Sequence, residues 1–460
     1  MVRIGIIGAG ISGLSTAFYI SKFLREEKEN FILGVFEKEE RPGGTIISQN
    51  KAGFLVEGGP NGFLDSKPST LHLCSELNLN SKLLPANSSS QRRYIFLKDR
   101  LILVPEKPVK FLKSDIMSFK GKIRLFMEGA IRKGIAKKDE TVSEFGRRRI
   151  GREAVENLLD PMVTGIFAGD PETMSLKACF PRIWEMEQKY GSLTKAMISI
   201  MRERKTSGPA GPGGTLTSFL EGTEYLIKKL AEEESSNIKL NSEVRAIDYS
   251  CGRWFVNNEN SPYDVIVSAA PSYVLAELIK PLSSSLFEKA VHISYSPMAV
   301  IGLGYKKEAV ENKIDGFGFL IPHKERRKIL GCLFSSQIFP GRAPEGYELL
   351  QVMAGGARFS EIVNYSNGQI LDFSIQELKS ILGIGDSPDF IKIFRYPLAI
   401  PQYKVGHLIL LEQLKKELHP FKGLFFTGNA YYGVGINDCT KNSREIAQSA
   451  IAYLTGREND

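Results

Sequence analysis

Apolar positions along this chain fall into a few recurring patterns. Val2–Ile7 is short and mainly apolar, as a parallel strand buried on both faces should be. From Leu14 to Phe23 the spacing turns helical, with Leu14, Ala17, Phe18 and Phe23 near one face. Phe31–Phe36 is again strand-like. Related patterns return twice. In the middle, Phe219–Glu234 reads as a turn and a helix, Ile238–Ser250 as a strand pair around Val244, and Tyr263–Ile279 as a buried strand, a loop at Pro271 and a helix. Near the end, Leu424–Thr427 reads as a buried strand, and an amphipathic helix begins near Asn437–Asp438. Two other textures separate these pieces. One is a basic, helical stretch from about Leu77 to Met201; the other is strand-rich, from His292 to Pro397. Arg92–Pro105 alternates as a hairpin would, and Ser207–Gly214 has the composition of a flexible joining loop.

Glycines give the first strand-to-helix turn a chemical meaning. Gly8, Gly10 and Gly13 make G-x-G-x-x-G between the strand and the helix. Gly8 permits a tight turn, Gly10 lets a pyrophosphate approach the backbone, and Gly13 lets helix pack close to strand. The helix N-terminus then turns free N–H groups and its positive dipole end toward the phosphates. Glu37 closes the second strand, 24 residues past Gly13, where a carboxylate can accept both hydroxyl hydrogens of a ribose. A glycine-rich turn that binds nothing is the alternative, and the strand, helix and acid together argue against it. Gly428, Gly433 and Gly435 lead into the last helix and make a second N-terminus suited to close backbone approach. The pieces predict an α/β fold in three domains. A Rossmann-like dinucleotide-binding domain is assembled from residues 1–66, 219–272 and 402–460. A mixed-sheet substrate domain takes 67–92, 202–218 and 273–401, and an inserted helical domain takes 93–201.

Composition narrows the setting. The chain has 460 residues, room for two to three domains with ample core. Its five cysteines are scattered without a C-x-x-C pair, and its five histidines lack metal-ligand spacing, so neither a disulfide framework nor a metal site is expected. No run reaches about 18 apolar residues, so no transmembrane helix is expected. With the first strand at residue 2 there is no room for a signal peptide, which predicts a bacterial cytoplasmic protein. The net charge of +8 is concentrated between Lys107 and Arg149, where large apolar residues such as Phe111, Phe119 and Phe126 are interleaved. That mixture suits an interfacial helix on anionic lipid, peripheral on the inner face of the cell membrane; an ordinary solvated helical face fits equally well. No recognition motif supports nucleic-acid binding.

Longer motifs carry a family resemblance. Arg41, Gly43 and Gly44 resemble the G-G stretch of the FAD-containing amine oxidase superfamily, although Thr45 stands where that superfamily commonly has arginine. Phe54–Leu64, Leu158–Leu193, Ala399–Leu408 and Leu424–Cys439 resemble blocks of the protoporphyrinogen and coproporphyrinogen oxidases, and the likeness runs from residue 2 to near residue 453. Amine oxidases and carotenoid desaturases lack the Leu158–Leu193 block. A non-catalytic carrier on the same fold would show a degraded glycine motif.

The resemblance implies non-covalent FAD. Gly8, Ala9, Gly10, Ile11, Ser12, Gly13, Glu37 and Lys38 would hold its ADP half, with Gly44 and Thr45 beside the pyrophosphate. Gly59, Pro60, Asn61 and Gly62 would lie near the flavin ring, and the Val244 backbone would meet adenine. Beyond Gly428, the N–H groups of Val434, Gly435 and Ile436 would meet the pyrimidine end. Arg93 aligns with an arginine that pairs a substrate propionate; Leu320, Leu333 and Met353 align with residues that sandwich the macrocycle; Gly165 and the Phe167–Gly169 turn border the slot. The implied activity is oxidation of protoporphyrinogen IX to protoporphyrin IX in haem biosynthesis, or of coproporphyrinogen III to coproporphyrin III. Six electrons leave in three flavin cycles, and no side-chain base is assigned. Implied partners are the porphyrinogen, oxygen or another electron acceptor, an anionic membrane surface, the next haem-pathway enzyme and a second copy of the chain.

Overall fold

The structure, a computed structural model, describes residues 1–105, 108–134, 138–203, 214–310 and 314–456. The joining loop expected at Ser207–Gly214 lies outside the described residues except for Gly214. Val2–Ile7 and Phe31–Phe36 are strands over the expected residues. They pair in parallel, and a five-stranded parallel sheet runs in the order 238–239, 31–36, 2–7, 265–268, 424–426. The strands are nearly all apolar because helices cover both faces. Helices Ile11–Glu26, Pro68–Glu76, Glu224–Glu233 and Ile436–Leu454 bury Leu14, Ile20, Leu73, Leu230 and Ala447 against one face. Helices Ser272–Ile279, Ser284–Val291 and His407–Leu418 close the other around Trp254, Leu275 and Leu411. The strand pair expected around Val244 is not a pair. Ile238–Lys239 joins the parallel sheet, whereas Ile247–Ser250 pairs with Arg253–Val256 in a separate hairpin; Val244 lies between them.

A second, seven-stranded sheet runs in the order 390–401, 295–306, 347–355, 329–334, 318–320, 93–97, 100–103. Every pair is antiparallel except 318–320 with 93–97. The expected hairpin is present as Arg93–Leu97 and Arg100–Leu103. Its place differs from the sequence analysis, which assigns residues 93–201 to the helical insert. Period-two alternation explains this: Tyr94 and Phe96 pack into the sheet's core beside Phe319 and Val352, so the hairpin extends that sheet. Helix Asn367–Leu382 covers this core through Ile370, Phe373 and Leu378. The opposite face carries Arg93, Leu320, Leu333 and Met353.

Helices between 108 and 203 make up the insert, and its basic run is not one surface. Lys122 is buried and gives its ammonium to the Leu112 and Ser114 carbonyls. Arg124 serves the carbonyls of Arg148 and Arg149 at a helix C-terminus. Arg149 is fully buried, bonding Glu187 at 2.6 Å, Glu128 at 3.1 Å and the carbonyls of Ile131 and Gly191. Burial works against the Glu187 carboxylate, but hydrogen bonds from Arg148, Gly134 N–H and Arg149 outweigh it and hold its pKa below the usual range. Glu128 also accepts the Leu193 and Thr194 N–H groups, so the network caps helix Leu193–Glu203. What remains outside is a set of exposed apolar side chains, Val109, Leu112, Phe119, Ile123, Phe126 and Met127. Exposed Lys110, Lys113, Lys120, Arg132 and Lys133 are interleaved with it. Among the described residues no helix is long and apolar enough to cross a membrane.

Arg149→Met removes the buried cation between the Glu128 and Glu187 carboxylates and should cost about 3–5 kcal/mol of unfolding free energy. Arg147→Met, at the half-exposed pair with Glu172, should cost no more than about 1 kcal/mol. Urea unfolding of both variants checks this; equal losses would remove the buried network from its anchoring role.

Candidate functional site

The site begins where the first strand ends. Gly8 has φ +97°, a turn that side chains resist, and its N–H is held by the Phe36 carbonyl at 2.8 Å. A Cβ on Gly13 would stand 1.8 Å from the Gly8 carbonyl oxygen, so only glycine lets this helix seat on this strand. Gly10 differs: a Cβ there would meet nothing within 4 Å. Open space therefore adjoins the helix N-terminus. That end has no side-chain cap, and the Ser12 and Gly13 N–H groups have no acceptor among the described residues. An uncapped helix end beside a void only glycine leaves clear fits a pyrophosphate.

Neighbouring segments converge on that void. Gly43 bridges to Gly10 through its N–H on the Ala9 carbonyl, and a Cβ on Gly44 would stand 3.8 Å from the Gly10 Cα. Arg41 fixes this turn by bonding the Gly44 carbonyl at 2.6 Å. Glu37 is buried; its carboxylate accepts the Ala9 N–H at 2.8 Å and the Glu39 N–H at 3.0 Å. The Glu37 backbone also holds Lys239 and Ser242, which brings buried Val244 to the same end. Lys38 points outward and pairs with Glu39. Thr45 is exposed, and a Cβ on Gly59 would meet its carbonyl at 2.2 Å, so the Gly59–Gly62 stretch follows directly.

Helix Ile436–Leu454 packs beside helix Ile11–Glu26, and Ser443 donates its hydroxyl to the Ser12 carbonyl at 2.9 Å. Its N-terminus is likewise uncapped, and the N–H groups of Val434, Gly435 and Ile436 have no acceptor among the described residues. The loop before it carries Gly428 at φ +127° and Gly433 at φ +131°. Two helix ends with unmet donors thus lie side by side at the carboxyl edge of the parallel sheet, where open α/β sheets take ligands.

From Gly62 the path continues into the second sheet. A Cβ on Gly62 would meet the Thr217 carbonyl at 2.4 Å and Leu216 at 3.4 Å, and Leu216, like Met353 and Phe317, packs against the cluster of Leu333, Ile338 and Phe339. Leu320, Gly331 and Met353 form one row across the sheet; Arg93, Gly318 and Leu333 form the next. Gly165 rests on Leu320, where a Cβ would come within 2.9 Å. Arg93 is exposed, its guanidinium 5.0 Å from the Phe317 ring centroid, with no carboxylate partner among the described residues. The structure thus brings Arg93, Leu320, Leu333, Met353 and Gly165 to one face. Phe167 stands apart: its ring is buried with Val142, Met174 and Tyr403, against Phe180. The Phe167–Gly169 turn is tied down by Gln402 on the Phe167 carbonyl and Ala357 on that of Ala168.

Sequence reasoning passed over several supporting residues. Buried Glu57 takes the Ser48 hydroxyl at 2.6 Å and the Thr223 N–H at 2.9 Å beside buried Arg342, fixing the start of the Gly58–Gly62 stretch. Burial pushes its pKa up, and Arg342 opposes the rise. His407 stacks on Tyr403 at 4.2 Å, and burial lowers its pKa to about 4, so the ring is neutral near pH 7. The Ala399–Leu408 motif that holds Tyr403 and His407 was the only signal, and it did not give their partners. Among the described residues no three His, Cys, Asp or Glu side chains come together as metal ligands.

The family model described as "Flavin containing amine oxidoreductase" matches residues 11–451. A coproporphyrinogen III oxidase of Bacillus subtilis is 30% identical, with 98% of each chain covered. The chloroplastic protoporphyrinogen oxidase 1 of Arabidopsis thaliana is 32% identical over 98% of this chain and 88% of its own. A solved structure from Exiguobacterium sp. 255-15 shares the fold at TM-score 0.84, 24% identity and 99% coverage of both chains.

Gly10→Val places its side chain in open space, so the apoprotein should melt like the parent while FAD is lost. Gly13→Val should destabilise the apoprotein itself. Flavin-to-protein absorbance ratios and apoprotein melting curves check both. Stoichiometric FAD in Gly10→Val would sink the cradle reading.

Proposed function

Because the chain belongs to the flavin containing amine oxidoreductase family, and within it to the porphyrinogen oxidases, we propose that this FAD-dependent oxidoreductase oxidises protoporphyrinogen IX to protoporphyrin IX. The observation that carries the reading is the chain of contacts from the two uncapped helix ends, through Gly59–Gly62 and Leu216, to an apolar sheet face that also carries Arg93, which has no carboxylate partner among the described residues. Gly8–Gly13 and Glu37 would hold the ADP half of FAD, with Lys38, Gly44, Thr45 and the Val244 backbone nearby. Gly59–Gly62, Gly428 and Val434–Ile436 would hold the flavin end. When bound, the flavin supplies the two-electron acceptor for a meso-carbon hydride, used three times for the six electrons.

The chain's own part is to place and shield the substrate. Leu320, Leu333 and Met353 offer an apolar wall to the macrocycle, and Gly165 lets the Asp160–Phe167 helix come down on Leu320. Arg93 can grip a propionate through its planar fork, with Phe317 holding the guanidinium in place. Coproporphyrinogen III is the second reading, favoured by the full-length match to the Bacillus subtilis enzyme. The three-domain division of the sequence analysis is kept, with the 93–103 hairpin moved to the mixed-sheet domain.

A hydrogen bond to a charged group contributes about 1.5–3 kcal/mol, so Arg93→Ala should lower kcat/KM roughly 10- to 150-fold with the flavin spectrum unchanged. Arg93→Lys should recover part, keeping charge without the fork. Coproporphyrinogen, with four propionates, should lose less than protoporphyrinogen, with two. Rates of parent and variants on both substrates under air decide the substrate as well; unchanged kcat/KM in Arg93→Ala would refute the anchor.

The insert's exposed apolar side chains also support peripheral attachment to an anionic membrane. Phe119 is 77% and Phe126 57% exposed, with exposed Lys120 between them. Each basic residue near such a surface adds on the order of 1 kcal/mol. Cosedimentation with anionic vesicles should fall as salt rises, and Phe119→Ser with Phe126→Ser should weaken it. Binding to neither anionic nor neutral vesicles would reduce this surface to a solvated helical face.

A further inference from the structure

The loop from Gly428 to Gly435 belongs to no helix or strand, yet it leads directly to the unmet N–H groups of Val434, Gly435 and Ile436. Its own backbone does little to hold it: one long bond, Tyr431 N–H to the Gly428 carbonyl at 3.5 Å, lies within it. Side chains from outside do more: the Cys439 thiol reaches the Gly433 carbonyl at 4.0 Å, and Tyr403 and His407 add closer contacts. The Tyr403 hydroxyl accepts the Gly433 N–H at 2.9 Å and donates to the Asn429 carbonyl. Four residues on, at the first position of its helix, His407 Nε2 meets the Tyr431 carbonyl at 3.1 Å. Because that partner only accepts, and because burial keeps the ring neutral, Nε2 carries the proton. The two rings stack at an interplanar angle of 14°, so each holds the other's orientation.

The base of this staple is fixed as well. The Tyr403 carbonyl accepts the Ser175 N–H at 2.8 Å, Gly406 N–H binds the Asp139 carboxylate at 2.8 Å, and Gln402 holds the Phe167 carbonyl at 2.9 Å. Tyr403 is 1% exposed, and burial puts its pKa far above the ordinary tyrosine value, so the hydroxyl stays protonated and can donate and accept together. A hydroxyl that bridges a carbonyl and an N–H four residues apart closes the loop into a ring, and phenylalanine cannot do this.

We propose that Tyr403, supported by His407, is a positioning residue for the flavin: it locks the 428–435 loop in the shape that leaves the Val434–Ile436 N–H groups free for the cofactor. The inference rests on the FAD reading above. Removing both hydroxyl bonds while keeping the ring should weaken FAD binding by about 10- to 100-fold. The stack and the packing survive in Tyr403→Phe, so the apoprotein should melt within a few degrees of the parent.

The test uses full-length protein stripped of flavin and titrated with FAD, followed by flavin fluorescence and absorbance, with apoprotein melting alongside. Tyr403→Phe should bind FAD at least tenfold more weakly than the parent and show an altered flavin band shape. His407→Leu, which loses the bond to the Tyr431 carbonyl, should move the same way, and His407→Gln, which can still donate there, should recover part of the affinity. Parental FAD affinity and spectrum in both Tyr403→Phe and His407→Leu would overturn the proposal, as would lowered melting with unchanged affinity, which marks a structural role alone. If Tyr403→Phe does not fold, the His407 pair decides: equal affinity of the leucine and glutamine variants overturns the proposal. A parent that takes up no FAD would overturn the cofactor reading, and this inference with it.

Discussion

One contact sets the geometry of the candidate site: the Gly13 backbone lying against the Gly8 carbonyl. At that separation a single methyl group cannot fit. The first helix can therefore start immediately behind its strand, with N–H groups aimed across the sheet edge instead of into it. The last helix aligns on the first through Ser443 and Ser12, so its N-terminus inherits the same direction. The Gly43–Gly44 turn is placed by its bridge to Gly10, and the Gly59 stretch by its contact with Thr45. Each later piece is positioned against an earlier one, back to that first contact.

What the sequence made legible follows the range of the forces involved. The strand at Val2–Ile7, the strand at Phe31–Phe36, the hairpin beginning at Arg93 and the buried acid at Glu37 all have local signatures: periodicity, glycine spacing, a terminal carboxylate. Partners far away in sequence have none. Nothing in "RRYIFLKDR" says that its strand will lie parallel to Gly318–Leu320, and nothing near Val244 says that its flanking strands will join different sheets. The Tyr403 hydroxyl, meeting Asn429 and Gly433 while its own carbonyl meets Ser175, was invisible for the same reason. Phe167 borders the slot by resemblance alone, and its buried ring packs with Val142, Met174 and Tyr403, partners its own stretch of sequence does not announce.

The basic run left two readings open, an interfacial helix and a solvated face, since formal charge is counted without regard to direction. In the fold, Lys122 and Arg124 are consumed by backbone carbonyls, and Arg148 and Arg149 by Glu140, Glu187 and Glu128. These cations act as hydrogen-bond donors to groups the helices leave unsatisfied. What faces solvent is a smaller set of lysines and arginines among exposed aromatic and aliphatic residues, a surface defined as much by Phe119 and Phe126 as by charge.

The strand order of the parallel sheet also governs when this protein can acquire its shape. Its members come from residues 2–7, 31–36, 238–239, 265–268 and 424–426. During synthesis, the first strand and its glycine turn leave the ribosome early, yet the neighbour that completes the sheet and the helix that packs beside the turn come last. The seven-stranded sheet is likewise closed by 390–401, its final edge. The nascent chain must therefore carry an incomplete binding edge through most of its translation, and pairing across such separations is slow to form and prone to wrong association while it waits. The helices of the insert, whose contacts are more local, can condense earlier and give the growing chain a folded middle before either sheet is whole.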